Sequence, residues 1–157
     1  MRGRPDSRGL GTAGAGDCRS AAVEIEKAQQ ARLDGVGFYR FAIRERNEGP
    51  MIGLVLIERD RLEADFIIYR LEFWVCPPLS RQGIATSAVR LACGYAFNEL
   101  NADEIKAYVR PDNAGSGKVL RQFGFLDTGV RRPSGLGRPL AVWRLYRRVW
   151  DILRADV

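Results

Sequence analysis

The stretch from Ala64 to Phe123 constrains the fold more than any other part of the chain. It opens with a run of β-formers, ADFIIYRLEFWVC (64–76), stopped by Pro77-Pro78. A helix follows over about 82–100, then EIKAYVR (104–110), stopped by Pro111, then a second helix from Asn113 to about Phe123. Proline offers no N–H to a ladder, so each proline closes its strand. Ile84, Ala88, Leu91, Ala92 and Tyr95 recur at i, i+4, i+7, i+8 and i+11, which predicts the apolar stripe of the first helix. Ile105, Ala107 and Val109 alternate as one face of a strand does. Strand, helix and strand joined by short loops predict a right-handed parallel crossover. Both helices then begin at the same edge of the sheet.

The flanks read as antiparallel. FYRFAIRER (38–46) and MIGLVLIER (51–59) surround the turn Asn47-Glu48-Gly49-Pro50 and form a hairpin. Phe125 to Arg131 and Leu140 to Arg147 are two further strands, and the WDILR segment is a last helical turn. AAVEIEKAQQARL (21–33) fits a helix, with Ser20 as N-cap and Gly35 beyond its end. Residues 1–19 hold five glycines and no periodicity, the pattern of a disordered tail. The order α-β-β-β-α-β-α-β-β predicts an α/β fold: a mixed, mostly antiparallel sheet with one parallel strand pair and helices on both faces. A length of 157 residues fits one domain, placed at 20–150 between the tail at 1–19 and a C-terminal tail at 151–157.

The chain contains no His, which excludes a Ser-His-Asp triad, a Cys-His dyad and a His-ligated zinc, and no metal-binding set is expected. Proton transfer near neutral pH must use Asp, Glu, Tyr, Cys, Lys, the chain amine or water. The net charge is +6 and its distribution is uneven: residues 1–19 carry +2, residues 20–130 carry −1 and residues 131–157 carry +5. The body is near neutral and the ends are basic. This reads as solvated arginine on the ends rather than a nucleic-acid face interleaved with aromatics. Cys18, Cys76 and Cys93 are odd in number and lack C-x-x-C spacing, which predicts free thiols in a reduced, cytoplasmic protein. No export signal or membrane-spanning run is present in the sequence.

Chemistry concentrates at the two strand–helix junctions. In Pro77-Pro78-Leu79-Ser80-Arg81-Gln82-Gly83-Ile84-Ala85-Thr86 a strand feeds a long helix through a loop containing glycine. Such a junction offers unpaired backbone N–H groups and the positive end of the helix dipole to a phosphate or pyrophosphate. Neither G-x-x-x-x-G-K-[ST] nor a strand-linked G-x-G-x-x-G occurs, so a P-loop and a dinucleotide fold are not supported. At the second junction, Val109-Arg110-Pro111-Asp112-Asn113 leads to Ser116, Leu120 and Gly124-Phe125. Asn113 and Ser116 read as an N-cap and a first-turn polar residue that face whatever the first loop holds.

Together these stretches resemble the GNAT superfamily of acyl-CoA-dependent N-acyltransferases, nearest to its ribosomal-protein-alanine N-acetyltransferase-like branch. The resemblance rests on Ser80-Arg81-Gln82-Gly83-Ile84-Ala85, on the helix containing Tyr95-Ala96-Phe97, and on Pro111-Asp112-Asn113-Ala114-Gly115-Ser116 with Leu120 and Gly124-Phe125. It spans about residues 22–150. It implies acetyl-CoA as donor and co-substrate, and an amine acceptor that is a protein N-terminus or a small molecule. It implies that backbone amides of Arg81, Gln82, Gly83, Ile84, Ala85 and Thr86 hold the pyrophosphate. Main-chain groups near Val75 and Cys76 would line the pantetheine arm, Asn113 would bond it, and Ser116 would sit near the thioester sulfur. The amine attacks directly, with no acyl-enzyme.

The chain departs from the family pattern where Ser87 follows Ala85-Thr86, where Ser80 opens the loop, and where Leu140-Ala141-Val142-Trp143 lacks an Asp. These departures motivate a second reading, a non-catalytic acyl-CoA-binding relative; a third, a basic RNA- or ribosome-binding module, rests on the arginine-rich ends alone. Glu72, on the strand leading into the first loop, is a candidate base toward the acceptor, or else a partner for an Arg. Ser116 is a candidate proton donor to the leaving thiolate. Tyr108 and Tyr146 read as packing residues before acids, Cys76 as a small hydrophobe before a nucleophile, and Trp74 and Trp143 as core or pocket wall.

Overall fold

The computed structural model describes residues 37–44, 50–60, 65–79, 83–135 and 137–155. Six strands are described: β1 (Phe38–Arg44), β2 (Met51–Asp60), β3 (Ile68–Val75), β4 (Glu104–Val109), β5 (Leu126–Arg132) and β6 (Leu140–Tyr146). They make one sheet in the order β1-β2-β3-β4-β6-β5. Three α-helices accompany them among the described residues: α1 (Ile84–Asn98), α2 (Ala114–Gln122) and α3 (Arg147–Ala155). Only β3 and β4 pair in parallel; the other four pairings are antiparallel. The mixed sheet with one parallel pair is therefore the one that the sequence predicts. The helix expected over 21–33, the tail at 1–19 and the turn at 47–49 lie outside the described residues.

The sheet consists of two antiparallel halves. β2 and β3 pair along the whole of β3, from Asp60↔Ile68 to Gly53↔Val75. β4 and β6 pair along the whole of β4, from Glu104↔Tyr146 to Val109↔Ala141. The halves meet in the parallel pair, from Ile68↔Glu104 to Leu71↔Ala107. Asp103 fixes this register at its base. Its N–H donates to the Ile67 carbonyl at 2.7 Å, its carboxylate accepts from the Ile67 N–H at 2.8 Å, and its carbonyl accepts from the Arg147 N–H at 3.0 Å. One residue thus joins the starts of β3, β4 and α3.

One hydrophobic cluster packs the three described helices on one sheet face, where helices on both faces are expected; the remaining expected helix, 21–33, lies outside the described residues. The cluster gathers Val89, Ala92, Cys93, Ala96 and Phe97 of α1, Leu120 of α2 and Trp150 of α3 against Val55, Ile57, Leu71, Ile105 and Leu145. The Trp150 and Phe97 rings stack with centroids 5.4 Å apart. The buried stripe of α1 differs from the expected one: Leu91 is 75% exposed, whereas Val89, Cys93, Ala96 and Phe97 are fully buried. The helix is apolar over more than one face, and periodicity alone does not say which apolar stripe meets the sheet. α3 continues to Ala155 with Trp150 buried, beyond the single turn expected for WDILR.

The opposite face of β4 is unusual. Glu104 and Lys106 alternate with the core residues of that strand, yet both are buried. A buried charge is tolerated when paired. Lys106 Nζ lies 3.8 Å from the Asp60 carboxylate, and Arg144 Nε lies 3.4 Å from the Glu104 carboxylate.

The two stripes of α1 separate experimentally. Phe97→Ala is expected to destabilise by about 3–5 kcal/mol, the cost of emptying a packed aromatic site. Leu91→Ala is expected to stay within about 0.5 kcal/mol, as for an exposed residue. Urea unfolding of both variants checks this; equal losses would return the expected stripe to the core.

Candidate functional site

The parallel pair stops after Leu71↔Ala107. β3 runs on through Glu72, Phe73, Trp74 and Val75, and β4 through Tyr108 and Val109. Beyond Leu71, β3 has no ladder partner on β4, because each strand follows its own antiparallel neighbour. The gap is a cleft with bare backbone along one wall, closed at its base by the Leu71↔Ala107 pair and open at the end where α1 and α2 begin.

At the start of α1, Gly83 is left-handed, with φ 76° and ψ 3°, and no side chain caps the helix. The first intrahelical bond runs from Ser87 N–H to the Gly83 carbonyl at 3.0 Å. The N–H groups of Ile84, Ala85 and Thr86 therefore have no intrahelical acceptor and point out of the helix start. A Cβ on Gly83 would meet nothing within 4 Å, so the demand for glycine here is conformational rather than steric. A groove of 940 Å³ runs from Gly83 and Ser87 along α1 to Tyr95, against Phe41, Ile43 and Val55 of the first hairpin.

At the start of α2, the Asn113 side chain accepts from the Ser116 N–H at 3.1 Å, the N-cap expected for it. Ser116 is half-buried on the first turn of α2. Val75 ends β3. The fold thus brings Val75, the α1 start with Gly83, Ile84, Ala85 and Thr86, and the α2 start with Asn113 and Ser116 to one end of the sheet. Arg81 and Gln82 lie outside the described residues.

Glu72 is the first residue of β3 past the last parallel pair. It lies on the face opposite the helices, and its carboxylate is 3.5 Å from Arg70 Nε. Arg70 also bonds Glu58. The arginine partner weighed for Glu72 is therefore present, and Glu72 also borders the cleft. Trp74 and Tyr108 follow on the same face, one from each diverging strand. The Arg132 guanidinium lies 4.8 Å from the Tyr108 ring centroid. Trp143 is buried, as core wall, with Arg121 5.0 Å from its ring centroid.

The cysteines correct one expectation. Cys93 is a free thiol, fully buried in α1, and burial pushes its thiol strongly up. Cys76 is disulfide-bonded, so it is neither a free thiol nor a nucleophile. Arg110, Arg132 and Arg138 also stand near this end of the sheet, outside the sequence-predicted set. Their signal was the basic excess of residues 131–157 and the arginine just before Pro111.

A family model, the acetyltransferase (GNAT) domain, matches residues 10–126. The chain belongs to the GNAT acetyltransferase family. The "Probable N-acetyltransferase YjcK" of Bacillus subtilis (strain 168) is 39% identical over 106 residues, covering 66% of this chain and 56% of the relative. A second curated relative from the same organism is covered over 45% of its length, so the chain spans about half the length of the curated relatives it matches. Solved structures share the GNAT fold at low identity. RimJ of Mycobacterium smegmatis, in complex with CoA-disulfide, superposes with a TM-score of 0.66 at 22% identity, over 87% of this chain and 68% of that one. A chimera of the spermidine N-acetyltransferase SpeG of Vibrio cholerae and hSSAT gives 0.69 at 16% identity, over 89% and 96%. A ribosomal-protein alanine acetyltransferase from Vibrio fischeri gives 0.66 at 18%, over 84% and 72%.

Two outcomes follow from this GNAT site. Gly83→Ala places a Cβ residue in a left-handed conformation at a cost of about 1–2 kcal/mol. Where the free helix start can relax and the bound one cannot, titration calorimetry with acetyl-CoA, the donor proposed below, is expected to show affinity reduced about 5- to 30-fold; unchanged affinity would remove this helix start from the proposed donor site. Iodoacetamide is expected to label Cys93 in urea and not in the folded protein; rapid native labelling would contradict its burial.

Proposed function

We propose that this GNAT chain transfers an acetyl group from acetyl-CoA to a primary amine by direct attack, with residues 20–150 as the transferase unit. The observation that carries the reading is the early end of the parallel pair, beside an uncapped helix start. A bare strand edge can bond the amides of an extended pantetheine arm as a missing strand would. The N–H groups of Ile84, Ala85 and Thr86 suit a pyrophosphate, through the helix dipole and their lack of intrahelical acceptors; Arg81, Gln82 and Gly83 join them by family resemblance. Donor and acceptor are then held in one cleft, and positioning supplies much of the rate.

In this reading Val75 lines the pantetheine arm and Asn113 bonds it with the amide nitrogen that capping leaves unused. The acceptor ammonium loses a proton, directly or through water, to Glu72. The free amine adds to the thioester carbonyl, the tetrahedral intermediate collapses, and the C–S bond breaks. The sulfur leaves as thiolate, held by a hydrogen bond from Ser116, and the proton that the amine nitrogen sheds passes through water to the thiolate. No His is needed at any step. Two structural neighbours, a ribosomal-protein alanine acetyltransferase and a spermidine N-acetyltransferase chimera, support a primary-amine acceptor. A cytoplasmic location is proposed from the family alone, because the bridge at Cys76 removes the free-thiol ground for it.

One observation favours the non-catalytic alternative, an acyl-CoA-binding relative: Glu72 is already paired with Arg70. Free CoA release over a panel of amines separates the two. Tight acetyl-CoA binding without release on any acceptor would select the alternative. With an active acceptor in hand, Ser116→Ala is expected to lower kcat about tenfold or more with little change in KM. Glu72→Gln is expected to lower kcat and to remove the limb of the pH–rate profile that reports the base. Wild-type profiles in both variants would discard these roles.

A further inference from the structure

α1 runs from the site to the far end of the sheet, where a cluster of bonds holds its C-terminal end. Asn101 turns the chain with a left-handed φ of 53°, and the Ala102 N–H donates to the Ala96 carbonyl at 2.9 Å. The next residue is Asp103, whose carboxylate accepts from the Ile67 N–H at 2.8 Å. The Arg147 N–H donates to the Asp103 carbonyl at 3.0 Å, and the Arg147 guanidinium donates to the Phe97 carbonyl at 2.8 Å. The end of α1 and the bases of β3, β4 and α3 are thereby joined in one clamp.

The Asp103 carboxylate stands in for a strand carbonyl. The seam between β3 and β4 is four pairs long, from Ile68↔Glu104 to Leu71↔Ala107. Ile67 precedes it, and the Asp103 side chain meets its N–H. The bond ties the chain that leaves α1 to the base of β3. α1 has 15 residues, so it spans about 22 Å between this clamp and Gly83. Over that length a tilt of about 1° at the clamp moves the helix start by about 0.4 Å. Packed helices shift by about 1–2 Å in switching transitions, so core packing leaves such a tilt open. Hydrogen-bond distances span only about 0.5 Å, so a few degrees of tilt carry the N–H groups of Ile84, Ala85 and Thr86 off a bound phosphate.

We propose that Asp103 is a positioning residue: its bond to Ile67 sets the tilt of α1 and so holds the distant helix start where it meets the donor. This rests on the reading of that helix start as the acetyl-CoA site. Asp103 touches neither donor nor acceptor and acts through α1. The coupling is reciprocal. Whatever factor the closed clamp adds to donor affinity, bound donor suppresses opening of the clamp by the same factor.

The test uses the full chain with acetyl-CoA, in titration calorimetry and in native-state hydrogen exchange. Asp103→Ala is expected to weaken acetyl-CoA about five- to tenfold. Asp103→Asn keeps an oxygen that accepts from the Ile67 N–H, and its affinity is expected within about twofold of wild type. Phe125→Leu removes buried volume just before β5, off both α1 and the clamp. It is expected to lower stability in urea and to leave acetyl-CoA affinity within about twofold. In the wild type, the urea-insensitive exchange of the Ile67 N–H reports local opening. Saturating acetyl-CoA is expected to slow it about five- to tenfold, the factor that Asp103→Ala loses. This measurement needs no variant and decides the matter if Asp103→Ala fails to fold. Unchanged affinity in Asp103→Ala, or an equal loss in Asp103→Asn or Phe125→Leu, would overturn the proposal. So would Ile67 exchange that is indifferent to the donor or set by global unfolding alone. Acetyl-CoA that binds without slowing Ile67 exchange discards the positioning role and keeps the donor reading; a wild type that binds no acetyl-CoA discards both.

Discussion

Asp103 holds the two halves of the sheet together at one end. Its backbone and carboxylate bond Ile67 at 2.7 and 2.8 Å, and its carbonyl receives the first N–H of α3 at 3.0 Å. Hydrogen bonds of this kind contribute about 0.5–1.5 kcal/mol each, and leaving a buried partner unmet costs more. Above this anchor, β3 is bound along its length to β2 and β4 along its length to β6. Each half follows its own antiparallel ladder, which is the stronger pairing per residue. The short parallel seam yields, and the cleft opens where the two helix starts converge. The candidate site thus follows from a competition between ladders, with a fixed point below and none above.

Most of the fold was legible in the chain because its punctuation is strong. Pro77-Pro78 and Pro111 end strands, Gly83 and Asn113 begin helices, and alternation marks Ile105, Ala107 and Val109 as one face of β4. The parallel crossover follows from loop lengths and the handedness rule. Legibility failed where a residue has two acceptable environments. Leu91 fits the predicted apolar stripe and stands in solvent, because the sheet took the stripe through Val89, Cys93 and Phe97 instead. Glu104 and Lys106 look like solvent-facing members of an alternating strand and are buried, because Arg144 on the adjacent β6 and Asp60 on β2, beyond β3, meet them.

The candidate site divides in the same way. Gly83, Asn113 and Ser116 carried local signals, since a helix start needs a cap or a glycine and its N–H groups need acceptors. Glu72 was readable as borderline, and the structure keeps both of its settings, one beside Arg70 and one beside the cleft. Arg110, Arg132 and Arg138 carried only a diffuse signal, the basic excess of residues 131–157 and an arginine before Pro111. Arg110, Arg132 and Arg138 belong to three different stretches of chain, and only the order β4-β6-β5 places them at one edge.

By itself, the sequence determined where strands and helices start and stop, the parallel crossover, and a junction chemistry suited to an anionic donor. Those properties depend on neighbours within a few residues, through proline, glycine, caps and periodicity. Tertiary structure alone decided which stripe of α1 is core, which charges are buried, where the parallel seam ends, and that basic side chains from separate strands face the open end of the cleft. Those properties depend on which surfaces meet across the sheet, and burial and pairing are set by the partner surface as much as by the residue itself.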